Sequence, residues 1–571
     1  MTHYRRTTGP DGRPCIETDL DGPLVARLPL LNKGTAFTPE ERRTFRLDGA
    51  LPPHVSTLDE QVARCEANLR GFTSDLDKHV YLRVLQDRNE VLFYALLERN
   101  LEEILPLIYT PTVAEAVEKF SQIYRSPRGL VVSTETIDRV DELLDAVELD
   151  EVRLAVATDA EGILGIGDQG LGGMAIAIGK LSLYTAGAGV DPGLTLPIEL
   201  DVGTDRQELL DDPLYLGVRH ERLRGEAYDA FVEAFVRAFR RRYPEAVLQW
   251  EDFSKQRAFD LHDRYRETVP SFNDDVQGTG AVVLAGLLAA ARATERPFTE
   301  QTIAIHGAGA GGVGVARQII AGLRRAGLSE GAARARVLVL DSRGLVLEGR
   351  DGLDAYKAEV AQSADRVAGW TFDGAAPDLL ATVREGGVTA LIGLSGRPGA
   401  FDRAVVEAVA ANAPNPIVLP LSNPTRNSEA VPEDVLDWTD GRAWVATGSP
   451  FPDVVRAGRR TVIGQGNNAF VFPGVGLGAM LAKARSISDD MLSAAAEALA
   501  DHVDASRLVQ GALYPSMSEL RSVSHRVAVA VIAQARSEGL ARAELPGDLD
   551  RFVRNAMWTP TYLPLRRART D

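Results

Sequence analysis

Only two cysteines, Cys15 and Cys65, occur in 571 residues. Two thiols cannot build a disulfide framework or, unaided, a thiolate zinc site, and their scarcity fits a reducing compartment. Positive charge is also short. Lys and Arg number 63 against 80 Asp and Glu, a net charge of −17. That balance argues against nucleic acid or an anionic membrane surface as the main partner. Long hydrophobic runs are missing too. The longest nearly unbroken one, Ala281–Ala291, has 11 residues, too few to span a bilayer. The opening MTHYRRTTGPDGRPC lacks an apolar signal core. No repeat of roughly 20–50 residues is present, which excludes a solenoid. What remains is a cytoplasmic globular protein, 45% apolar and 25% charged, an ordinary enzyme composition. Its length suits about three to four domains.

Residues 38–125 read as mostly helical. Thr38-Pro39-Glu40-Glu41 is a helix start: a capping threonine, proline in the first turn, then acids near the positive end of the dipole. Past residue 130 short apolar runs alternate with helical stretches. Strands are expected at Leu154–Thr158, Ala246–Trp250, Thr302–His306, Val337–Leu340, Thr389–Gly393, Ile417–Leu421 and Trp444–Ala446. An amphipathic helix is expected over Glu226–Tyr243. Strands alternating with helices imply an α/β fold with parallel βαβ units. Ligands then bind at the carboxyl ends of the strands.

The expected strand Thr302–His306 runs directly into Gly307-Ala308-Gly309-Ala310-Gly311-Gly312. This is GxGxxG on Gly307, Gly309 and Gly312, followed by a helix. The first glycine permits a tight turn, the second lets a pyrophosphate approach, and the third lets helix and strand pack closely. The next strand ends at Asp341, an acceptor for a ribose diol. It lies 29 residues beyond Gly312, more than the usual spacing of about 20. Asp341 favours NAD. Arg343 and Lys357 could pair with a 2′-phosphate, which makes NADP the alternative.

Of two acidic pairs, Glu251-Asp252 follows the expected strand Ala246–Trp250, and Asp274-Asp275 lies just before the glycine- and alanine-rich segment 278–291. If they converge, they offer three oxygen ligands and one spare acid. All-oxygen ligation suits Mg²⁺ or Mn²⁺ rather than zinc. Helix-cap and surface carboxylates are the plain alternative. Lys180 sits among apolar neighbours after the glycine-dense stretch Gly165–Gly173. A desolvated lysine can titrate near about 7–8 and act as a general base, whereas a snorkelling lysine would do nothing chemical. Tyr109 stands at an expected helix end.

Several segments, in one order, resemble malic enzyme in its large-subunit, bacterial-type form. They are Tyr109-Thr110-Pro111-Thr112-Val113, Ile163-Leu164-Gly165-Ile166-Gly167-Asp168, Gly179-Lys180-Leu181, Trp250-Glu251-Asp252-Phe253, Phe272-Asn273-Asp274-Asp275-Val276-Gln277-Gly278-Thr279, Leu421-Ser422-Asn423-Pro424-Thr425 and Gly464-Gln465-Gly466-Asn467-Asn468. The resemblance implies that Glu251, Asp252 and Asp275 bind Mg²⁺ or Mn²⁺. It implies that Lys180, supported by Asp274, takes the malate hydroxyl proton, and that Tyr109 protonates C3 of the decarboxylated product. Gly307, Gly309, Gly312, Asp341, Thr279 and Asn423 would bind NAD. Asn423, Asn467 and Asn468 would hold substrate. Gly162 departs from the resemblance, since many members carry there an arginine that clamps a substrate carboxylate. Arg397, in Ser395-Gly396-Arg397-Pro398-Gly399, is the candidate for part of that charge, with a solvent-facing loop arginine as the alternative.

The implied architecture is a helical N-terminal region (1–127), the first part of a substrate and metal domain (128–274) and a Rossmann NAD-binding domain (275–466). A return to the substrate domain (467–540) and a C-terminal tail (541–571) follow. The implied activity converts malate to pyruvate and CO₂ in a homo-oligomer, dimer or tetramer, with no nucleic-acid or membrane partner. Its rivals are a malolactic enzyme, which keeps its NAD and releases lactate, and a non-catalytic NAD-binding regulator.

Overall fold

The computed structural model describes residues 3–149, 151–163 and 165–568. Leu164, within one of the resembling segments, lies outside the described residues, as do the last three of the expected tail. The chain divides into two compact units. The first comprises 1–248 and 555–571, the second 249–554. The five-part division expected above cuts the chain at other places and remains a proposal.

In the first unit, Tyr4–Thr8 and Pro14–Thr18 form an antiparallel hairpin. Leu565–Arg567 adds a third, parallel strand to it, with Leu565 opposite Ile16. The expected helical stretch is helical. Pro39–Thr44 starts on a full capping box between Thr38 and Glu41, and Leu58–Leu69 on another between Thr57 and Glu60. Asp75–Arg88, Glu90–Arg99, Leu101–Ile108 and Thr112–Glu118 follow. Val62, Leu82, Leu85, Phe93, Leu97 and Ile108 form their shared core. A parallel sheet comes next, with Thr195–Asp201 between Leu130–Ser133 and Leu154–Thr158. Gly225–Arg242 is the expected amphipathic helix and buries Phe231, Phe235 and Phe239.

The second unit is built on a seven-stranded sheet. Its order is Gly344–Leu345, Val337–Asp341, Ile303–His306, Ala390–Gly393, Ile417–Pro420, Trp444–Thr447, Gly464–Gln465. All pairings are parallel except that of the edge strand Gly344–Leu345. From Ile303–His306 the chain first builds outward to Val337–Asp341, then crosses to Ala390–Gly393 on the other side. That reversal creates a crevice at the carboxyl ends of the two inner strands, where such sheets bind ligands. Helices Thr279–Thr294 and Ala310–Arg325 pack together, and Asp489–His502 packs on both. The 21-residue segment Asp274–Thr294 is long and apolar enough to cross a membrane. However, 72% of its apolar window is buried inside the protein, which marks a core helix. Cys15 and Cys65 are buried and unpaired by disulfide.

Candidate active site

Glu251 and Asp252 follow the strand Val247–Trp250. Asp275 sits in a π-helical turn, Asp274–Gly278, between the strand Ser271–Asn273 and the helix Thr279–Thr294. Such turns recur at functional sites because they re-aim adjacent side chains. One carboxylate oxygen from each of Glu251, Asp252 and Asp275 lies within 4.8 Å of the others. Glu251 and Asp252 are buried. Asp252 holds a left-handed backbone at φ 55°, a strained conformation for a non-glycine residue. Its N–H donates to Asp275 Oδ2 at 2.8 Å, while Gln249 Nε2 donates to Glu251 Oε2 at 2.6 Å. Three converging carboxylates repel one another unless a cation joins them. A hard divalent ion fits this all-oxygen donor set.

Asp274 is fully buried. A side-chain carbon on Gly278 would fall 1.8 Å from Asp274 Oδ1, so only glycine leaves this carboxylate room. Asn468 Nδ2 donates to Asp274 Oδ2 at 3.2 Å and to Thr279 Oγ1 at 3.0 Å. The structure therefore brings Asp274, Thr279 and Asn468 together. The Asn467 carboxamide is turned to a local task, accepting from Ala469 N at 2.9 Å as a helix cap. Asn423 is exposed and its side-chain oxygen accepts from Ser449 Oγ.

Lys180 and Tyr109 belong to the first unit. Lys180 lies in the fully buried helix Met174–Ala188 and is only 1% exposed, which rules out the snorkelling alternative. Its Nζ is 5.4 Å from the Tyr109 ring centroid. Gly179 permits this approach, since a β-carbon there would sit 3.1 Å from the Ile108 carbonyl. Two buried groups hold the helix end that carries Tyr109. His79 Nδ1 donates to Leu107 O at 2.8 Å, and Arg83 Nη2 donates to Ile108 O at 3.0 Å. Burial, helped by the Arg83 charge, lowers the His79 pKa to about 4, so the imidazole is neutral.

The glycine turn has the expected form. Gly307 adopts φ 128°, and a β-carbon there would lie 2.3 Å from the Leu394 carbonyl. On Gly312 one would lie 1.7 Å from the Gly307 carbonyl. Of the three, Gly309 alone has room for a β-carbon, whose nearest neighbour would be Lys255 Cε at 3.8 Å. It caps the helix Ala310–Arg325 with no side-chain bond to the first N–H groups, which stay available to a phosphate. Asp341 closes its strand and pairs with Arg350, whose Nη1 donates at 3.1 Å. Burial opposes ionisation of Asp341, but Arg350 and the Arg343 N–H outweigh it and keep its pKa low. Lys357 Nζ lies 3.9 Å away.

Two family models match. One, described as malic enzyme, N-terminal domain, covers residues 86–266. The other, malic enzyme, NAD binding domain, covers residues 276–536. The chain belongs to the malic enzyme family. An NAD-dependent malic enzyme of Pseudomonas savastanoi pv. phaseolicola is 48% identical over 550 residues, 96% of this chain and 97% of that protein. One of Shewanella denitrificans is 46% identical over 546 residues, again 96% and 97%. Among solved structures, malic enzyme from Pyrococcus horikoshii superimposes with a TM-score of 0.54 at 26% identity, covering 80% of this chain and 89% of that one. Malic enzyme from Entamoeba histolytica gives 0.55 at 22% identity, covering 90% of each chain, and speaks to the fold alone.

Within this malic enzyme fold, sequence reasoning missed Gln249 and Arg350. Gln249 stands on the strand Val247–Trp250, two residues before Glu251, so period-two alternation continued past the strand end was the signal for it. Nothing local marks Arg350. Gly162 and Arg397 are both exposed. A buried charge cluster was also missed. Arg222 Nη2 donates to Asp168 Oδ1 at 2.7 Å and to the Asp159 carbonyl at 2.6 Å, holding the segment that contains Gly162. Beneath it Glu199 is fully buried, with neither carboxylate oxygen hydrogen-bonded. Burial first, then the charges of Asp201 and Asp159, push its pKa well above 4.5. Folded protein thus keeps a proton that unfolded chain releases, so Glu199 lowers stability as pH rises from 4.5 to its raised value. The slope is about 1.4 kcal/mol per pH unit. Glu199→Gln, which is neutral at every pH, is expected to flatten the fall of melting temperature with pH that begins above 4.5. Identical profiles in both proteins would refute a protonated Glu199.

Proposed function

We propose that this chain catalyses the NAD-dependent, divalent-metal-dependent oxidative decarboxylation of malate to pyruvate and CO₂. One observation carries the reading: three carboxylates converge within 4.8 Å in the same unit as a complete dinucleotide turn. When bound, NAD supplies the hydride acceptor and the divalent ion a Lewis acid for loss of the β-carboxylate, worth several kcal/mol. Glu251, Asp252 and Asp275 would hold the ion, and Gln249 and the Asp252 N–H orient two of those carboxylates. Lys180, only 1% exposed, takes the proton from the C2 hydroxyl. Tyr109 delivers a proton to C3 after decarboxylation. Asp274 supports the base, and Asn468 fixes Asp274. Gly307, Gly309 and Gly312 admit the diphosphate of NAD, Asp341 accepts from its ribose, and Thr279 and Asn423 complete the coenzyme contacts. Asn423, Asn467 and Asn468 hold the substrate. This reading includes a homo-oligomer working in the cytoplasm.

The test mixes malate and Mn²⁺ with NAD or NADP in parallel, recording absorbance at the reduced nicotinamide band and the three-carbon product. Net NADH with pyruvate is expected, and chelation of the metal should abolish both. Lactate without net NADH would establish the malolactic rival. Binding of NAD with no metal-dependent turnover would establish the regulator.

A further inference from the structure

Helix Lys255–Tyr265 starts badly by local rules. Its cap, Ser254, makes no side-chain capping bond, its first turn holds no acid, and its first residue is a lysine. A cation at a helix N-terminus opposes the macrodipole, so helix stability does not account for Lys255. Nor does an ion pair. Lys255 is exposed, and its ammonium has no hydrogen-bond or salt-bridge partner among the described residues. Yet the side chain has a definite place. A β-carbon built on Gly309 meets a single atom within 4 Å, Lys255 Cε at 3.8 Å. The ammonium is one bond beyond. Lys255 thus reaches the open middle glycine of the turn, next to the uncapped N-terminus of helix Ala310–Arg325. Two positive elements face each other there, which is unfavourable until an anion sits between them.

We propose that the Lys255 ammonium is a ligand for the diphosphate of the bound dinucleotide, opposite the N–H groups of the glycine turn. The inference rests on the dinucleotide reading of that turn and adds to it a charged clamp from a separate helix. It also explains why a residue that weakens its own helix is tolerated, since local rules are commonly broken where a ligand compensates.

The experiment titrates metal-free protein with ADP-ribose, which carries the diphosphate without the nicotinamide, and with adenosine, which carries neither. Calorimetry at two salt concentrations reads both. Lys255→Gln is expected to weaken ADP-ribose binding about tenfold or more, the range for one charge-assisted hydrogen bond. It should also flatten the salt dependence, leave adenosine affinity unchanged, and leave the melting temperature the same or slightly higher, since a cation is removed from a helix N-terminus. Lys255→Arg should restore most of the affinity. Wild-type ADP-ribose affinity and salt dependence in Lys255→Gln overturn the clamp alone. Failure of the wild-type protein to bind ADP-ribose overturns the dinucleotide reading and the clamp with it.

Discussion

Asp275→Asn is expected to lower malate oxidation about a thousandfold while leaving the fold intact. The amide oxygen can still accept the Asp252 N–H that Asp275 Oδ2 now accepts at 2.8 Å, so the local hydrogen bond survives. The anionic donor does not. Losing several kcal/mol of Lewis-acid stabilisation, at a factor of ten per 1.36 kcal/mol, gives roughly that thousandfold loss. A second readout separates the metal from the chemistry. In wild-type protein, Mn²⁺ at about a hundred times its Kd should add about 2.7 kcal/mol of stability, visible as a rise in melting temperature. In Asp275→Asn that rise should shrink or vanish. A variant with both wild-type turnover and a wild-type Mn²⁺ response would remove Asp275 from the ligand set.

Lys180→Met should cost turnover without costing structure. General acid–base groups contribute about 10²–10⁴-fold, and a loss of that size in kcat is expected. Methionine matches the length of the lysine stem at a site only 1% exposed, so the packing around the helix is kept. Affinity for ADP-ribose and the Mn²⁺-induced melting shift should stay at wild-type values, because the residues assigned to them are others. Wild-type kcat in Lys180→Met would end the assignment of this lysine as the base.

These two variants rest on residues that the sequence exposes unequally. The glycine turn was legible because its spacing encodes backbone geometry directly. Gly307 needs φ 128° and Gly312 needs the absence of a β-carbon, so the letters report the shape. Seven strands were also legible, within a residue or two at their ends, since buried parallel strands read as apolar runs, whereas Leu130–Ser133 and Thr195–Asp201 were not expected. The acidic pairs marked a region but left open which carboxylates point together. That depends on a π-helical turn at Asp274–Gly278, which no periodicity announces. Lys180 was ambiguous because burial of a lysine is decided by what packs over it. Arg350 and Glu199 were illegible because their partners are set by tertiary placement rather than by spacing. The edge hairpin Tyr4–Thr8 and Pro14–Thr18 escaped notice for a related reason: its strands mix polar and charged residues, and one of its partners comes from the far end of the chain.

That last pairing shapes how the molecule is made. Leu565–Arg567 completes the sheet begun by Pro14–Thr18, and residues 249–554 between them form a unit of their own. On the ribosome the first unit therefore waits, its hairpin lacking a neighbour, until translation reaches Leu565. The intervening unit has every residue it needs before then. Synthesis order and completion order are reversed for these two units, and an unpaired strand edge persists for most of the time the nascent chain is being extended.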